Sequence, residues 1–228
     1  MNQLHKRLER PDLMAKQITK LYMSATDSEA LEGLGWYVQA HEICKLIGQK
    51  YHCPLPKVVG VMAALSPATN WQQNVADAHN LIMAWSHGLS PDEVVCTTYG
   101  PNKAKAVRIL NLDKADKHLI ARELLHKSKI NKTASFFYNI LEPENDYLVT
   151  IDRHAFRIAL GNSSEADNIC MTEKRYRNLM EAYHIAAKGL DVSAIQLQAI
   201  VWCAFRRQAG IAAANIENDI FQSIVNQI

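Results

Sequence analysis

Three features of the chain predict an all-α fold. Glycine and proline are sparse, nine and seven in 228 residues. Apolar residues recur at helical spacing from one end to the other. No stretch alternates apolar and polar residues with the period of two that a half-buried strand requires. The expected architecture is all-α and compact with short connections, as one domain or two small lobes.

The elements follow in order. Helices are expected over 11–24 and 28–50, where Trp36, Tyr37, Ala40, Cys44 and Ile47 share one face and read as core. The helix 56–66 is apolar and rich in small residues, and it stops at Ser66-Pro67, because proline disfavours a helical conformation in the residue before it. Helix 72–87 follows the connection Asn70-Trp71-Gln72-Gln73, an exposed-looking aromatic among amides. Either this segment reaches a ligand, or Trp71 packs and Asn70 caps the helix. The turn Tyr99-Gly100-Pro101-Asn102 opens a helix at 102–111. Helix 116–125 leads through the basic connector RELLHKSKINK into helix 131–141, whose stripe is Ala134, Phe137, Tyr138 and Leu141. Pro143 and its polar neighbours end that helix. Asp152 opens the helix 152–160, and Gly161 closes it. Helices 172–188, 193–208 and 215–227 complete the chain.

Bulk properties narrow the function class. Apolar residues make up 48% of the chain, which is a globular composition rather than a disordered one. No apolar run has the length of a membrane span. The opening MNQLHKRLERPD lacks the apolar centre of a secretion signal. Five scattered cysteines without a CxxC pair point to reduced thiols in the cytoplasm, not to a disulfide frame or a zinc site.

The net charge of +2 is unevenly spread. From Lys103 to Thr133 nine Lys/Arg stand against three acidic residues, an excess of six positive charges. That excess suits a phosphate backbone, although a solvated helical face has the same composition. Lys103 and Lys105 lie in the helix at 102–111, and Lys127, Lys129 and Lys132 lie along the connector.

Twenty positions separate Lys132 and Asp152, each at a predicted helix start. An amine and a carboxylate so placed are the minimum equipment for attack at a sugar carbon. Asp152 reads equally as a helix cap, and Lys132 as a phosphate contact. Arg153 and His154 follow Asp152 directly.

Four segments, VMAALSPATNWQQN, YGPNKAKAVRIL, NKTASFFYNI and VTIDRHAFRIALG, occur in an order that resembles the helix-hairpin-helix DNA glycosylases of the endonuclease III and 8-oxoguanine glycosylase type. The resemblance covers about residues 58–161. It implies the compact two-lobed glycosylase fold in a single helical domain, 1–228, with one lobe from 1–57 and 162–228 and the other from 58–161, double-stranded DNA as partner, and excision of a damaged or modified base, including hypermodified phage bases, by a monomer without metal or cofactor. It assigns the essential carboxylate to Asp152 and the lysine nucleophile of strand-cleaving members to Lys132, with Lys129 as the alternative. Asn70, Trp71, Gln72 and Gln73 match the loop that fills the space of an extruded base. Lys103, Lys105, Lys127, Arg153 and His154 are expected as accompanying DNA contacts, with packing the alternative for His154. The chain departs from the pattern twice: the glycine-rich hairpin is replaced by HKSKI, and no four-cysteine cluster follows Asp152, so no iron–sulfur cluster is expected. The rival expectation is a helical DNA-binding protein without catalysis.

Overall fold

A computed structural model describes residues 3–125, 128–211 and 223. Among the described residues the structure is helical and contains no strand. The helices are α1 (Gln3–Leu8), α2 (Pro11–Tyr22), α3 (Asp27–Lys50), α4 (Leu55–Leu65), α5 (Trp71–Ser86), α6 (Gly100–Leu110), α7 (Lys117–Leu125), α8 (Lys132–Leu141), α9 (Arg153–Ala159), α10 (Glu173–Ala187) and α11 (Ala194–Gln208). Short 3-10 turns occupy Pro91–Glu93 and Ser164–Asn168. Helices α2 to α11 begin and end within two residues of the expected bounds. Helix α1 was not expected, and the helix expected at 215–227 lies outside the described residues.

The chain forms two compact units. The first comprises the chain up to Val38, Ser128–Asn139, and the chain from Pro143 to the end of α11. The second comprises the chain from Gln39 to Leu125 together with Ile140–Glu142. Segments 128–139 and 143–161, grouped with 58–127 on the sequence, therefore belong to the unit that holds the first helices.

In the first unit α2 is the hub, packed by α1, α9, α10 and α11. Met14 and Ile18 of α2, Leu179 and Tyr183 of α10, and Leu197 and Ile200 of α11 are buried completely or nearly so. Burying each such side chain contributes about 1.5–3 kcal/mol. Local signals place the helix starts. Thr172 caps α10 by accepting the Arg175 N–H, and Ser193 with Gln196 forms a reciprocal capping box on α11. The far end of α11 is tied to α3 by ion pairs from Arg206 to Glu32 and from Arg207 to Glu29.

In the second unit α4 is buried all round, which is why its sequence shows no polar face. Helices α5, α6 and α7 surround it. Gly60 allows the close approach: a Cβ there would lie 2.6 Å from Ile120 Cγ2 and 3.0 Å from Ile109 Cγ2. Lys57, buried at the start of α4, donates to the carbonyls of Leu110 at 2.7 Å and Leu112 at 2.6 Å, and so satisfies the C-terminal end of α6.

Also in this unit, buried His79 is hydrogen-bonded to the Tyr51 hydroxyl at 2.8 Å. Burial holds its pKa below the ordinary 6.5; the Asn80 side chain opposes the shift and the Lys50 charge assists it. As pH falls through that ordinary value, the unfolded chain takes up a proton that the folded chain refuses, so folding loses stability on the acid side. Wild-type protein is expected to lose melting temperature more steeply than His79→Gln between about pH 7 and about pH 5. Parallel pH profiles of the two proteins would show that His79 does not couple to folding.

Candidate active site

The segment before α9 is extended and held from both sides. Asn139, buried in α8, donates to the Leu148 carbonyl at 2.6 Å and accepts from the Thr150 hydroxyl at 2.7 Å. This delivers Asp152 to the start of α9 in an extended conformation, with φ −90° and ψ −176°. Its Oδ1 accepts the Ala155 N–H at 2.7 Å, so Asp152 is the cap of α9. Among the described residues Oδ2 has no hydrogen-bond partner. One oxygen thus serves the helix start.

Helix α8 opens in a similar way. Asn131 Oδ1 accepts the Ala134 N–H at 2.8 Å, which leaves Lys132 as the first residue of the helix. Lys132 and Asp152 line one cleft of about 940 Å³, wholly within the first unit. Apolar Ile130, Ile151, Phe156 and Ile169 line it beside five charged residues, Lys132, Asp152, Arg153, Asp167 and Glu173. No ion pair joins Lys132 to Asp152 among the described residues, so the carboxylate does not tie up the amine. A concave, mostly apolar site with a few convergent polar groups is the usual form of a small-molecule or base pocket.

The remaining expected residues divide clearly. Lys129 is exposed and does not line the cleft, whereas Lys132 does. Arg153 lines the cleft and faces Asp167 at 3.9 Å. His154 does not line it; its ring packs against Phe205, 5.2 Å between centroids.

In the second unit Trp71 is only 8% exposed, so of the two readings of this segment it follows the one in which Trp71 packs, and not that of a DNA contact. Its position in the first turn of α5 turns the indole into the core of that unit. Asn70 is exposed and caps α5, accepting the Gln73 N–H at 2.9 Å; the Gln73 side chain donates to buried Asp77 at 2.7 Å. Gln72 is partly exposed.

Lys103 and Lys105 are partly buried, and Lys103 donates to the Asp92 carbonyl at 3.3 Å. Burial lowers the Lys105 pKa, with the Arg108 charge adding and Glu123 opposing. Lys127 lies outside the described residues. The excess of positive charge is partly neutralised locally, by Glu123 on Arg108 at 3.0 Å and by Glu142 on Lys117.

Two contributors were missed in the sequence. Asn131 could have been found, since an asparagine directly before Lys-Thr-Ala is a cap signal. Tyr176, which lines the cleft, reads in sequence only as one more residue of a buried helix face. The turn from Ala166 to Thr172, which forms one wall, carries no periodic signal at all. Among the described residues no group of three or more His, Cys, Asp or Glu could hold a metal ion, and no helix is long and apolar enough to cross a membrane.

The model of the family of unknown function DUF7178 matches residues 1–209. The chain belongs to that family. No curated protein and no solved structure matches it. For DUF7178 the cleft therefore has to be read from its own geometry. The match covers both α8 and α9, so Lys132 and Asp152 fall within it.

Proposed function

We propose that this protein cleaves the N-glycosidic bond of a damaged or modified base in double-stranded DNA, acting in the cytoplasm as a monomer. On this reading it is a divergent helix-hairpin-helix glycosylase that has lost the glycine-rich hairpin. The observation that carries the proposal is that Lys132 and Asp152, at or beside two separate helix starts, line one cleft with apolar walls.

The chemistry follows from those two groups. Extruding a nucleotide from the duplex costs roughly a few kcal/mol. An apolar pocket such as that beside Ile151 and Phe156 offsets part of this cost by burying the base. As the C1′–N bond breaks, the base leaves with the bonding electrons and positive charge develops on the sugar. The Asp152 carboxylate stabilises that charge, and either water or the Lys132 side-chain nitrogen adds at C1′. Addition of the lysine nitrogen with loss of its proton, then cleavage of C1′–O4′ with protonation of O4′, gives a Schiff base; loss of a C2′ proton then expels the 3′ phosphate and breaks the strand. The exposed Asn70 and the partly exposed Gln72 are the groups that the 70–73 segment can offer to DNA, in place of the buried Trp71.

The test is abasic-site formation on duplexes with plain, deaminated, oxidised, alkylated or hypermodified bases. Release from one of these substrates is expected. Borohydride is expected to trap wild type and Lys129→Gln on the cleaved substrate but not Lys132→Gln. Trapping that survives in Lys132→Gln and vanishes in Lys129→Gln would move the nucleophile to Lys129. Salt-sensitive binding of every duplex with release from none would overturn the glycosylase reading in favour of a DNA-binding protein without catalysis.

A further inference from the structure

We infer that α10 works as a two-point clamp on Asp152, in which the phenols of Tyr176 and Tyr183 are positioning residues for the cleft's carboxylate. The two tyrosines are seven residues apart, two helical turns, and so project from the same face of α10. Both are buried, 3% and 0% exposed. Each hydroxyl finds its partner in the backbone around Asp152. Tyr176 Oη donates to the Val149 carbonyl at 3.1 Å and accepts the Ile151 N–H at 3.0 Å, so one oxygen bridges both ends of the short span leading into Asp152. Tyr183 Oη donates to the Ala155 carbonyl at 3.3 Å. Ala155 is also the residue whose N–H binds Asp152 Oδ1. The carboxylate is therefore gripped on its N-terminal side by one phenol, and its capping partner is held by the other.

The clamp is chemically stable. Burial pushes both phenols above their ordinary range, and the nearby Asp152 charge adds to the shift, so both remain protonated donors at any working pH. A carboxylate that stabilises charge on a sugar must be held within a fraction of an ångström. An exposed loop would not do this; two hydrogen-bonded tyrosines on a packed helix would.

The inference deepens the proposed function and rests on Asp152 being the working carboxylate, so its test has one readout on the protein alone and one on the reaction. Tyr176→Phe keeps the ring and its packing but removes the bridge; Tyr183→Phe is the milder second variant. Amide hydrogen exchange of the folded protein is expected to quicken at Ala155 on the order of 10-fold in Tyr176→Phe, while Val59 in α4 stays unchanged. In base release, kcat of Tyr176→Phe is expected to fall on the order of 10-fold to 100-fold with KM unchanged. Unchanged exchange at Ala155 in both variants would overturn the clamp, whatever the activity. A rise in KM without loss of kcat would overturn its positioning role. Quickened exchange in a protein that releases no base from any substrate would leave the clamp standing and remove the glycosylase reading.

Discussion

Asp152→Asn is expected to lower base release by at least about 100-fold while leaving DNA affinity within about twofold. The substitution is informative because it separates the cap that Asp152 forms from the charge that the proposed function asks of it. As a cap, it accepts the Ala155 N–H through Oδ1. Asparagine offers an amide oxygen in the same place and caps helices about as well as aspartate, so α9 should keep its start and the protein its melting temperature. As a carboxylate, it carries the negative charge that a developing sugar cation requires, and asparagine has none. Asp152→Ala removes both and is expected to destabilise the protein by about 1 kcal/mol as well. Full activity in Asp152→Asn with a destabilised Asp152→Ala would reduce Asp152 to a cap and remove the chemical core of the proposal. Lost activity in Asp152→Asn together with a lowered melting temperature would mean that the asparagine had disturbed the fold, and the loss could not then be assigned to charge.

The helices were legible because each carries its own local signals. Ser66-Pro67 stops α4, Asp152 starts α9 and Ser193 with Gln196 starts α11 on rules that act over three or four residues. The placing of Lys132 and Asp152 at helix starts was legible for the same reason, from Asp152 as a cap and from the helical spacing after Lys132. Their sharing of one cleft was not, because it depends on how α8, α9 and the turn at 166–172 pack in three dimensions. Trp71 stayed open between two readings for the complementary reason. An aromatic between polar residues fits either an exposed or a packed side chain, because in the first turn of a helix its direction is set by the packing of α5 in the second unit. Tyr176 and Tyr183 could be assigned to a buried face from their spacing. That their hydroxyls end on the backbone beside Asp152 requires contacts across 25 to 28 residues of sequence, which no local rule supplies.

Gly33→Ala is expected to be the most damaging glycine substitution in the first unit, and it runs against helix propensity. Gly33 lies inside α3, where alanine is normally preferred by about 1 kcal/mol. Here a Cβ would stand 2.5 Å from both the Cα and the backbone N of Ile200 in α11. Those atoms cannot swing aside as the end of a side chain can, so the two helices must separate. The separation would disturb contacts on either side of the crossing, where Tyr37 donates to Gln198 at 2.8 Å and Arg206 pairs with Glu32. Overpacking of this kind costs about 1–3 kcal/mol, which exceeds the propensity gain. Gly189→Ala, in the same unit, meets nothing within 4 Å and has no left-handed backbone, so it is expected to be neutral or to stabilise by up to about 1 kcal/mol. Denaturant titration of the two variants should therefore give opposite or clearly unequal shifts. A stabilised Gly33→Ala would mean that α3 and α11 do not meet as closely as the structure has them, and the packing of the first unit around that crossing would have to be redrawn. The cleft itself does not include Gly33, so single-turnover base release by the folded fraction of Gly33→Ala should stay close to wild type. That separates damage to the scaffold from damage to the site in a way that no substitution at Asp152 can.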